Sequence, residues 1–332
     1  MMNSKRRLLS VLTLLASAVV LVACSTAPVH HSEGPRPSTS TTLPSPTNSS
    51  TSTTTPASIT PAQPCGYRVA NPSYRHVMWI WMENESYQFI IGAADAPYET
   101  ALAHRCGLAT NYHAISHPSL PNYLAATGGT TAGVSDDGEP SVHPLSGDSI
   151  FSQVDTGGLT WRGYVESMPT PCDTVTSGLY AARHNPAVYY IALRPACAID
   201  DVPMGSIAGG ALHVALQDNT LANFVFVTPN ICDDAHSCPV QHGDAWLSGF
   251  LSMVFASVTY RLGHLAVFVT FDEGNADNHV PTIVAAPSVP SGTTSATYFD
   301  HYSLLRTAEE LLGLPPIHNA SSANSMVAAF HL

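Results

Sequence analysis

The chain has 332 residues, of which 45% are hydrophobic and 11% are charged. Acidic residues outnumber basic ones by 24 to 12, and the formal net charge at pH 7 is −12. This charge balance offers no basic footprint for a nucleic-acid backbone or an anionic membrane surface, so we predict no nucleic-acid partner. Small molecules and neutral head groups are compatible with it.

The first 24 residues have the pattern of a bacterial lipoprotein signal peptide. A basic region at residues 5–7 precedes an apolar region at residues 8–22, and the segment ends in the lipobox-like sequence LVAC at Cys24. The apolar region is too short and too poorly flanked to be a membrane-spanning helix. We predict cleavage before Cys24 and lipid attachment to its thiol, with a plain secretory signal as the alternative. Either signal places the mature protein outside the cytoplasm, in the cell envelope or secreted, with a lipid anchor as its only link to the membrane.

Residues 25–62 are rich in Ser, Thr and Pro. Such a composition buries too little apolar surface to offset chain entropy, which predicts a disordered tether. Residues 63–332 are long enough to bury a core as one catalytic domain. Without the three basic residues of the signal, 9 of the 12 basic residues remain, all Arg, against 24 acids.

Six cysteines remain in addition to Cys24. An even number in an exported chain indicates disulfides, although their spacing leaves the pairing open. We predict the pairing of sequence neighbours, which is Cys65–Cys106, Cys172–Cys197 and Cys232–Cys238.

Apolar runs of strand length alternate with helical segments along the chain. In chain order we predict a strand at 76–82, helix 98–106, strand 108–112, helix 120–127, helix 149–154, strand 159–165, helix 211–221, strand 223–228, helix 244–258, strand 264–271, strand 281–286 and helix 300–312. The last two helices in this order begin at acids that could cap them, Asp244 and Asp300. The alternation predicts an α/β fold, a three-layer sandwich around a mostly parallel central sheet.

Ser119 lies at the start of one of these helices, in the stretch HAISHPSLPNYLAATGG at residues 113–129. Pro121 suits the first helical turn, and two glycines end the helix. The free N–H groups and the dipole of a helix N-terminus favour an anion or a developing alkoxide. A serine at such a boundary can also be a simple N-cap, and both interpretations stand at this point.

An acidic pair or an acid–amide pair follows each of the three fully apolar strands. These pairs are Glu83-Asn84, Asp233-Asp234 and Asp272-Glu273. Because the carboxyl ends of parallel strands meet at one edge of a sheet, the pairs should converge. Clustered carboxylates do not all stay ionised without a cation, which predicts a divalent metal bound by oxygen ligands. Mg, Ca and Mn suit such ligands, and nearby histidines leave Zn open. The alternative is that each acid caps a following helix or turn.

Several motif-like segments occur between residues 76 and 307. They are HVMWIWMENESY at 76–87, IG at 91–92, HPSLPNY at 117–123, HNP at 184–186, TPN at 228–230, GDAWL at 243–247, FDEG at 271–274 and HYSLLRT at 301–307. In sequence and order they resemble the phosphoesterase family of bacterial acid phosphatases and phospholipases C, which is related to the alkaline phosphatase superfamily. The resemblance implies an alkaline phosphatase-like fold and hydrolysis of phosphate esters.

The resemblance also implies roles for individual residues. Ser119 matches the nucleophile, and His184 and His236 match histidines that contact the phosphoryl oxygens or the leaving group. The implied metal ligands are Glu83, Asn84, Ser119, Asp272 and Glu273. The residues expected around these ligands or at the substrate are His117, Asn122, Asp234 and His301.

We therefore predict a lipid-anchored, metal-dependent phosphatase that hydrolyses phosphomonoesters through a phosphoserine, acting on a small phosphate ester or a phospholipid head group. A phospholipase C-type phosphodiesterase is one alternative. A serine carboxylesterase is another, but the sequence lacks the usual G-x-S-x-G motif. The third is a surface-binding lipoprotein without catalysis. The sequence leaves the oligomeric state open.

Overall fold

The computed structural model describes residues 63–67, 69 and 73–332. The predicted signal peptide at 1–24, the lipidation site Cys24 and the predicted tether at 25–62 all lie outside the described residues and stay predictions. Within the described part of the chain, no helix combines the length and the apolar character needed to cross a membrane.

The described residues contain strands, α-helices and short 3-10 helices. The strands are β1 (His76–Met82), β2 (Gly107–Ala109), β3 (Tyr112–His113), β4 (Trp161–Val165), β5 (Asp201–Pro203), β6 (Phe224–Thr228), β7 (Leu265–Phe271), β8 (Thr282–Ala285), β9 (Thr293–Ser295) and β10 (Phe299–Asp300). The α-helices are α1 (Tyr87–Ile90), α2 (Pro97–Arg105), α3 (Ser119–Gly128), α4 (Ile150–Thr156), α5 (Arg194–Asp200), α6 (Ala211–Gln217), α7 (Val240–Ala256), α8 (Val258–Arg261), α9 (His301–Leu312) and α10 (Val327–Phe330). The 3-10 helices are Ala182–His184, Pro186–Tyr189, Ile191–Leu193 and His318–Ser322.

Eight strands form one sheet in the order β5-β4-β6-β1-β7-β8-β2-β9. The central strand β1 pairs in parallel with β6 and β7. Only β8 runs antiparallel to its neighbours, β7 and β2, among the strands that are described. The predicted α/β fold with a mostly parallel central sheet is confirmed.

Helices cover both faces of this sheet. Trp81 and Met82 are successive residues of β1, so their side chains point to opposite faces. Trp81 packs on Tyr123 of α3 and on His301 of α9, whereas Met82 lies against Gly243 of α7. The three layers follow from this arrangement, and they explain why β1, β6 and β7 are apolar on both faces.

The predicted single strand at residues 108–112 is wrong, because the chain turns in its middle. Strand β2 ends at Ala109 and belongs to the large sheet. Strand β3 begins at Tyr112 and pairs with β10 in a separate two-stranded sheet. The short sequence LATNY gives no indication that its two halves pair with different partners.

The prediction that Asp244 caps its own helix is also wrong. Helix α7 begins at Val240, directly after Pro239, so Asp244 lies inside it. The Asp244 carboxylate instead accepts the backbone N–H groups of Tyr98, at 3.1 Å, and Glu99, at 2.8 Å. It therefore caps α2 from a neighbouring helix. The second predicted cap is correct, because Asp300 accepts the N–H of Ser303 at the start of α9.

The three disulfides join the cysteines that are neighbours in sequence, as predicted. The pairs are Cys65–Cys106, Cys172–Cys197 and Cys232–Cys238. The last of these closes a short loop after β6, and that loop carries Asp234 and His236. The disulfide thus limits the movement of two residues that the sequence assigns to the site.

Candidate active site

The structure brings three carboxylates together at the carboxyl ends of β6, β1 and β7, which are neighbours in the sheet. Glu83 follows β1, Asp272 follows β7, and Asp234 lies in the loop after β6. The backbone N–H of Glu83 donates to the carbonyl of Asp234 at 2.8 Å. All three acids have no exposed surface. Their convergence follows from strand order, as expected at this edge of a parallel sheet.

Glu83 connects this cluster to the nucleophile predicted from the sequence. The hydroxyl of Ser119 donates to Glu83 Oε2 at 3.3 Å, and the hydroxyl of Tyr123 donates to Glu83 Oε1. His184 Nε2 lies 3.4 Å from Glu83 Oε2. One carboxylate therefore contacts helix α3 twice and the 3-10 helix Ala182–His184 once.

Asn84 places its backbone N–H and its side-chain amide next to Asp272. Its φ is +56°, a left-handed conformation that asparagine tolerates better than most residues. Its backbone N–H donates to Asp272 Oδ1 at 3.2 Å. One terminal atom of its side-chain amide lies 3.1 Å from Asp272 Oδ1 and 3.0 Å from Glu83 Oε2. As nitrogen this atom donates to both acids, and as oxygen it forms with them a three-oxygen set suited to a cation.

Several polar atoms of the cluster are buried without a hydrogen-bond partner among the described residues. They are Asp272 Oδ2, Asp234 Oδ2 and both ring nitrogens of His184. His184 Nδ1 lies 3.4 Å from Asp234 Oδ2, which is long for a hydrogen bond. One ligand atom each from Glu83, His184 and Asp234 lies within 4.8 Å of the others. Because orphaned buried polar atoms are costly, this donor set fits a divalent metal ion.

The pKa values of these acids are raised for the same physical reason. Burial first, and then repulsion from Asp272 and Asp234, raises the pKa of Glu83 well above its ordinary value. Burial, followed by the charge of Glu273, raises the pKa of Asp272 to about 7. Burial is also the main cause that raises the pKa of Asp234 to about 8. A bound cation would favour the charged form of each carboxyl group.

Ser119 is the first residue of α3 and is buried, with 2% of its surface exposed. Pro118 is the N-cap residue of this helix, and its own side chain makes no capping hydrogen bond. Ser119 is therefore not the N-cap, which removes the simplest alternative for this residue. Gly129 ends the helix with φ of +67°, as the paired glycines predict.

The two predicted histidines lie side by side next to the acids. His184 is buried, and burial lowers its pKa well below the ordinary value. The His236 ring centroid is 5.7 Å from that of His184. His236 is half-buried, and burial lowers its pKa as well. Its Nε2 atom lies 3.2 Å from Nη2 of Arg183.

Asp234 lies inside the cluster of buried acids, whereas Glu273 lies at its edge. Glu273 points to His117, with Oε2 at 2.5 Å from His117 Nδ1. Burial raises the pKa of Glu273 to about 7. Asp234, expected around the ligands, is one of the three buried acids, while Glu273, expected as a ligand, contacts a half-exposed histidine at the edge.

Asn122 and His301 position backbone segments of the site. Asn122 Oδ1 accepts the N–H groups of Ile115 and Ser116, both at 2.9 Å, and its amide donates to the carbonyl of Pro118. His301 Nε2 lies 2.7 Å from the carbonyl oxygen of Asp272. Asn122 thus orders the turn before Ser119, and His301 orders the end of β7.

The sequence patterns do not predict three residues of the site. Tyr123 is four residues after Ser119, and this helical spacing, which places both on one face of α3, could have identified it. Arg183 directly precedes His184. The direction of the Arg183 side chain depends on a 3-10 helix that no sequence pattern predicts. Asp137 lies in an acidic loop and accepts the N–H of Leu120 at 3.0 Å, a contact that no spacing rule predicts.

Comparison with a known structure supports the class of fold. A protein of the alkaline phosphatase superfamily from Vibrio parahaemolyticus aligns with a TM-score of 0.53 over 80% of this chain and 74% of that chain, at 11% identity. At this identity the likeness shows the fold alone. The chain has the alkaline phosphatase-like α/β fold that the resemblance implies.

Comparison with curated sequences identifies the family. A phosphatidylinositol-3-phosphatase of Mycobacterium tuberculosis is 33% identical over 261 residues, which cover 76% of this chain and 82% of that protein. An acid phosphatase of Aspergillus fumigatus is 28% identical over 277 residues, 79% of this chain but 60% of the fungal protein. Residues 92–315 match the model of the Phosphoesterase family. The protein is therefore a hydrolase that acts on phosphate esters, and it belongs to the Phosphoesterase family.

The stabilisation of the protein by a divalent cation should grow as the pH rises from about 5 to about 8. Without metal, Asp272 and Asp234 keep protons up to their raised pKa values of about 7 and about 8, so a metal must displace those protons at low pH. We expect the increase in Tm caused by saturating Mn²⁺, relative to EDTA, to be several degrees larger at pH 8 than at pH 5. The measurement is thermal unfolding with and without metal across this range.

The informative quantity is the difference between the Tm measured with metal and the Tm measured in EDTA. Other buried acids, including Glu99 and Asp201, also have pKa values raised by burial. A raised pKa in the folded state makes stability fall as the pH rises through that pKa, so all of these groups contribute to the EDTA curve. The variant Asp272→Asn should reduce both the metal effect and its pH dependence. An equal gain in Tm at pH 5 and pH 8 would contradict the assignment.

Proposed function

We propose that this protein is a metal-dependent phosphatase that hydrolyses phosphomonoesters through a phosphoserine at Ser119. One observation carries the proposal: the Ser119 hydroxyl contacts Glu83 at 3.3 Å, inside a buried acid cluster and at a helix N-terminus. A serine hydroxyl that is buried against carboxylates is oriented for chemistry, and the helix dipole favours the alkoxide.

The chemistry assigned to Ser119 is an in-line displacement at phosphorus. Its Oγ atom forms a bond to phosphorus while the bond from phosphorus to the ester oxygen breaks, and the hydroxyl proton is lost to a base or solvent. Glu83 holds the hydroxyl in place, and Tyr123 fixes the other oxygen of Glu83. A divalent cation supplies, when bound, positive charge that lowers the pKa of the serine hydroxyl and neutralises the phosphoryl oxygens.

Metal ligation is proposed for Glu83, Asn84, Ser119 and Asp272, and Asp234 and His184 join this set because of their unpaired atoms. Glu273 is retained as a ligand or as a partner of His117 that closes the site. Mg, Ca, Mn and Zn are the candidate ions, and a metal series distinguishes them.

His236 is proposed as the general acid for the leaving alcohol. Both ring nitrogens of His184 face carboxylates, Glu83 on one side and Asp234 on the other. His236 lies outside this cluster and is half-buried, so its ring stays accessible to a substrate. The same histidine would then take a proton from the water that attacks the phosphoserine.

The proposed substrates are small phosphate esters or phospholipid head groups that carry a terminal phosphate. The name of the mycobacterial relative assigns that protein a phosphoinositide monoester, which favours a monoester here. The signal at residues 1–24 and Cys24 supports a lipid-anchored protein in the cell envelope. Such a location would give the enzyme access to head groups and to soluble esters outside the cytoplasm.

Replacing Ser119 by alanine should abolish turnover. With saturating metal, we expect kcat for an aryl phosphate to fall by at least about a thousandfold in Ser119→Ala, because the covalent route is lost. Ser116→Ala is the matched control, since this serine lies in the same turn and its hydroxyl contacts only the carbonyl of His117. Steady-state release of the phenol is the measurement.

The same assay separates the alternatives. A phosphomonoesterase releases phosphate from a monoester and loses this activity in EDTA. Preferred cleavage of a diester supports a phospholipase C-type enzyme, and hydrolysis of a carboxylic ester that is insensitive to EDTA supports a carboxylesterase. A Ser119→Ala variant that turns over at the wild-type rate with metal present overturns the proposal.

Substitution of His236 should affect poor leaving groups most. An alkyl phosphate needs a proton on its leaving oxygen, whereas a nitrophenyl phosphate hardly does. We expect His236→Asn to lower kcat/KM for the alkyl ester at least about tenfold more than for the nitrophenyl ester. The parallel measurement on His184→Asn is the comparison. Equal losses for both esters in His236→Asn would remove His236 from this role.

A further inference from the structure

The loop between α3 and α4 brings a carboxylate to the start of the nucleophile helix. Asp137 Oδ1 accepts the backbone N–H of Leu120, the residue after Ser119, at 3.0 Å. Pro118 has no side-chain group that could cap this helix, and Pro121 has no N–H to offer. The Leu120 N–H is therefore one of the backbone donors that the helix start presents beside the Ser119 hydroxyl, and Asp137 is bound to it.

The other oxygen of this carboxylate faces a buried guanidinium group. Arg183 Nε lies 3.7 Å from Asp137 Oδ2, which is an ion-pair distance rather than a good hydrogen bond. The same Nε is buried without a hydrogen-bond partner among the described residues. Only 21% of the Arg183 side chain is exposed, and its Nη2 contacts His236. Asp137 thus lies between a helix N-terminus and an arginine.

This pair of donors is suited to a phosphoryl group. Backbone N–H groups at a helix start and a guanidinium fork are the two protein groups that bind phosphate oxygens most readily. The charge of Arg183 also reaches the acid cluster: burial raises the pKa of Glu273 and of Asp234, and Arg183 offsets part of each rise. Asp137 acts in the opposite direction on Glu273, whose pKa it raises. A phosphate ester approaching Ser119 would meet an attractive arginine and a repulsive aspartate.

The acidic tip of this loop lies at the protein surface. Val134 and Pro140 are buried at its two ends, while residues 135–137 between them are exposed. The Asp137 side chain is 35% exposed, more than that of its arginine partner. Rotation of the exposed Asp137 side chain away from helix α3 would free the Leu120 N–H and Arg183.

We propose that Asp137 is an internal competitor for the phosphoryl group: it occupies the Leu120 N–H and Arg183 in the free enzyme, and the phosphoryl group displaces it. Arg183 and the start of α3 then bind the phosphoryl oxygens beside Ser119. This inference rests on the proposed function, because it takes a phosphoryl group as the ligand. Its consequence is that Asp137 weakens the binding of substrate and of inorganic phosphate, which limits inhibition by product.

The test uses inorganic phosphate as the probe, with the full-length protein and its saturating divalent cation. Asp137→Asn keeps an oxygen for the Leu120 N–H but removes the charge, and we expect the phosphate Ki to fall about two- to fivefold. Arg183→Gln should raise the Ki at least about tenfold, and Arg183→Lys should restore part of the loss. Asp136→Asn is the matched control, since Asp136 is in the same loop but contacts Gly138 and His143.

A second readout separates this inference from the proposed function. The increase in Tm caused by phosphate is measured in the Ser119→Ala background, where no turnover is needed, with and without Asp137→Asn. A larger increase with Asp137→Asn supports the inference even if the wild type hydrolyses no phosphate ester. Hydrolysis by the wild type, with a phosphate Ki that Asp137→Asn leaves unchanged or raises, overturns the inference alone and makes Asp137 a group that positions Arg183.

Discussion

Glu83, Asp234 and Asp272 are carboxyl groups without exposed surface, and the parallel sheet places them together at the ends of three adjacent strands. Burial raises the pKa of each one, and repulsion from a neighbouring carboxylate adds to the rise. Such a cluster is unfavourable unless it binds protons or a cation. The orphaned atoms of Asp272, Asp234 and His184 fit a bound cation, which would give them a partner. The fold therefore places buried negative charge, which favours a bound cation, at one site. Positive charge at that site would also stabilise a phosphate ester.

Helix α3 connects this acid cluster to the proposed nucleophile. Its first turn presents Ser119 to one oxygen of Glu83, and its second turn presents Tyr123 to the other. Asn122 lies between them and orders the turn before the helix through four hydrogen bonds. The disulfide Cys232–Cys238 restrains the loop of Asp234 on the opposite side. The proposed nucleophile and the acids are thus fixed by separate elements, as a preorganised site requires.

The sequence predicts the features that depend on local pattern. Continuous apolar runs predict the central strands, and the acids that follow them predict the cluster of Glu83 and Asp272, because strand ends in a parallel sheet share one edge. The interpretation of Asp244 fails because its partner, α2, is distant in sequence, and propensity rules consider only neighbours. The sequence does not predict the contact between Asp137 and Leu120 for the same reason. Contacts between a loop and a helix depend on the path of the loop, which periodicity does not describe.

The most direct test of the account is to find where the phosphoryl group is carried. Turning-over samples are quenched after the first burst of alcohol release, one in acid, where phosphoserine is stable, and one in denaturant at mildly alkaline pH, where phosphohistidine survives. Both samples are digested and examined by mass spectrometry. The account predicts covalent phosphate on Ser119 and on no histidine. Phosphate on His184 or His236, or a burst of alcohol without any covalent phosphate, would contradict it.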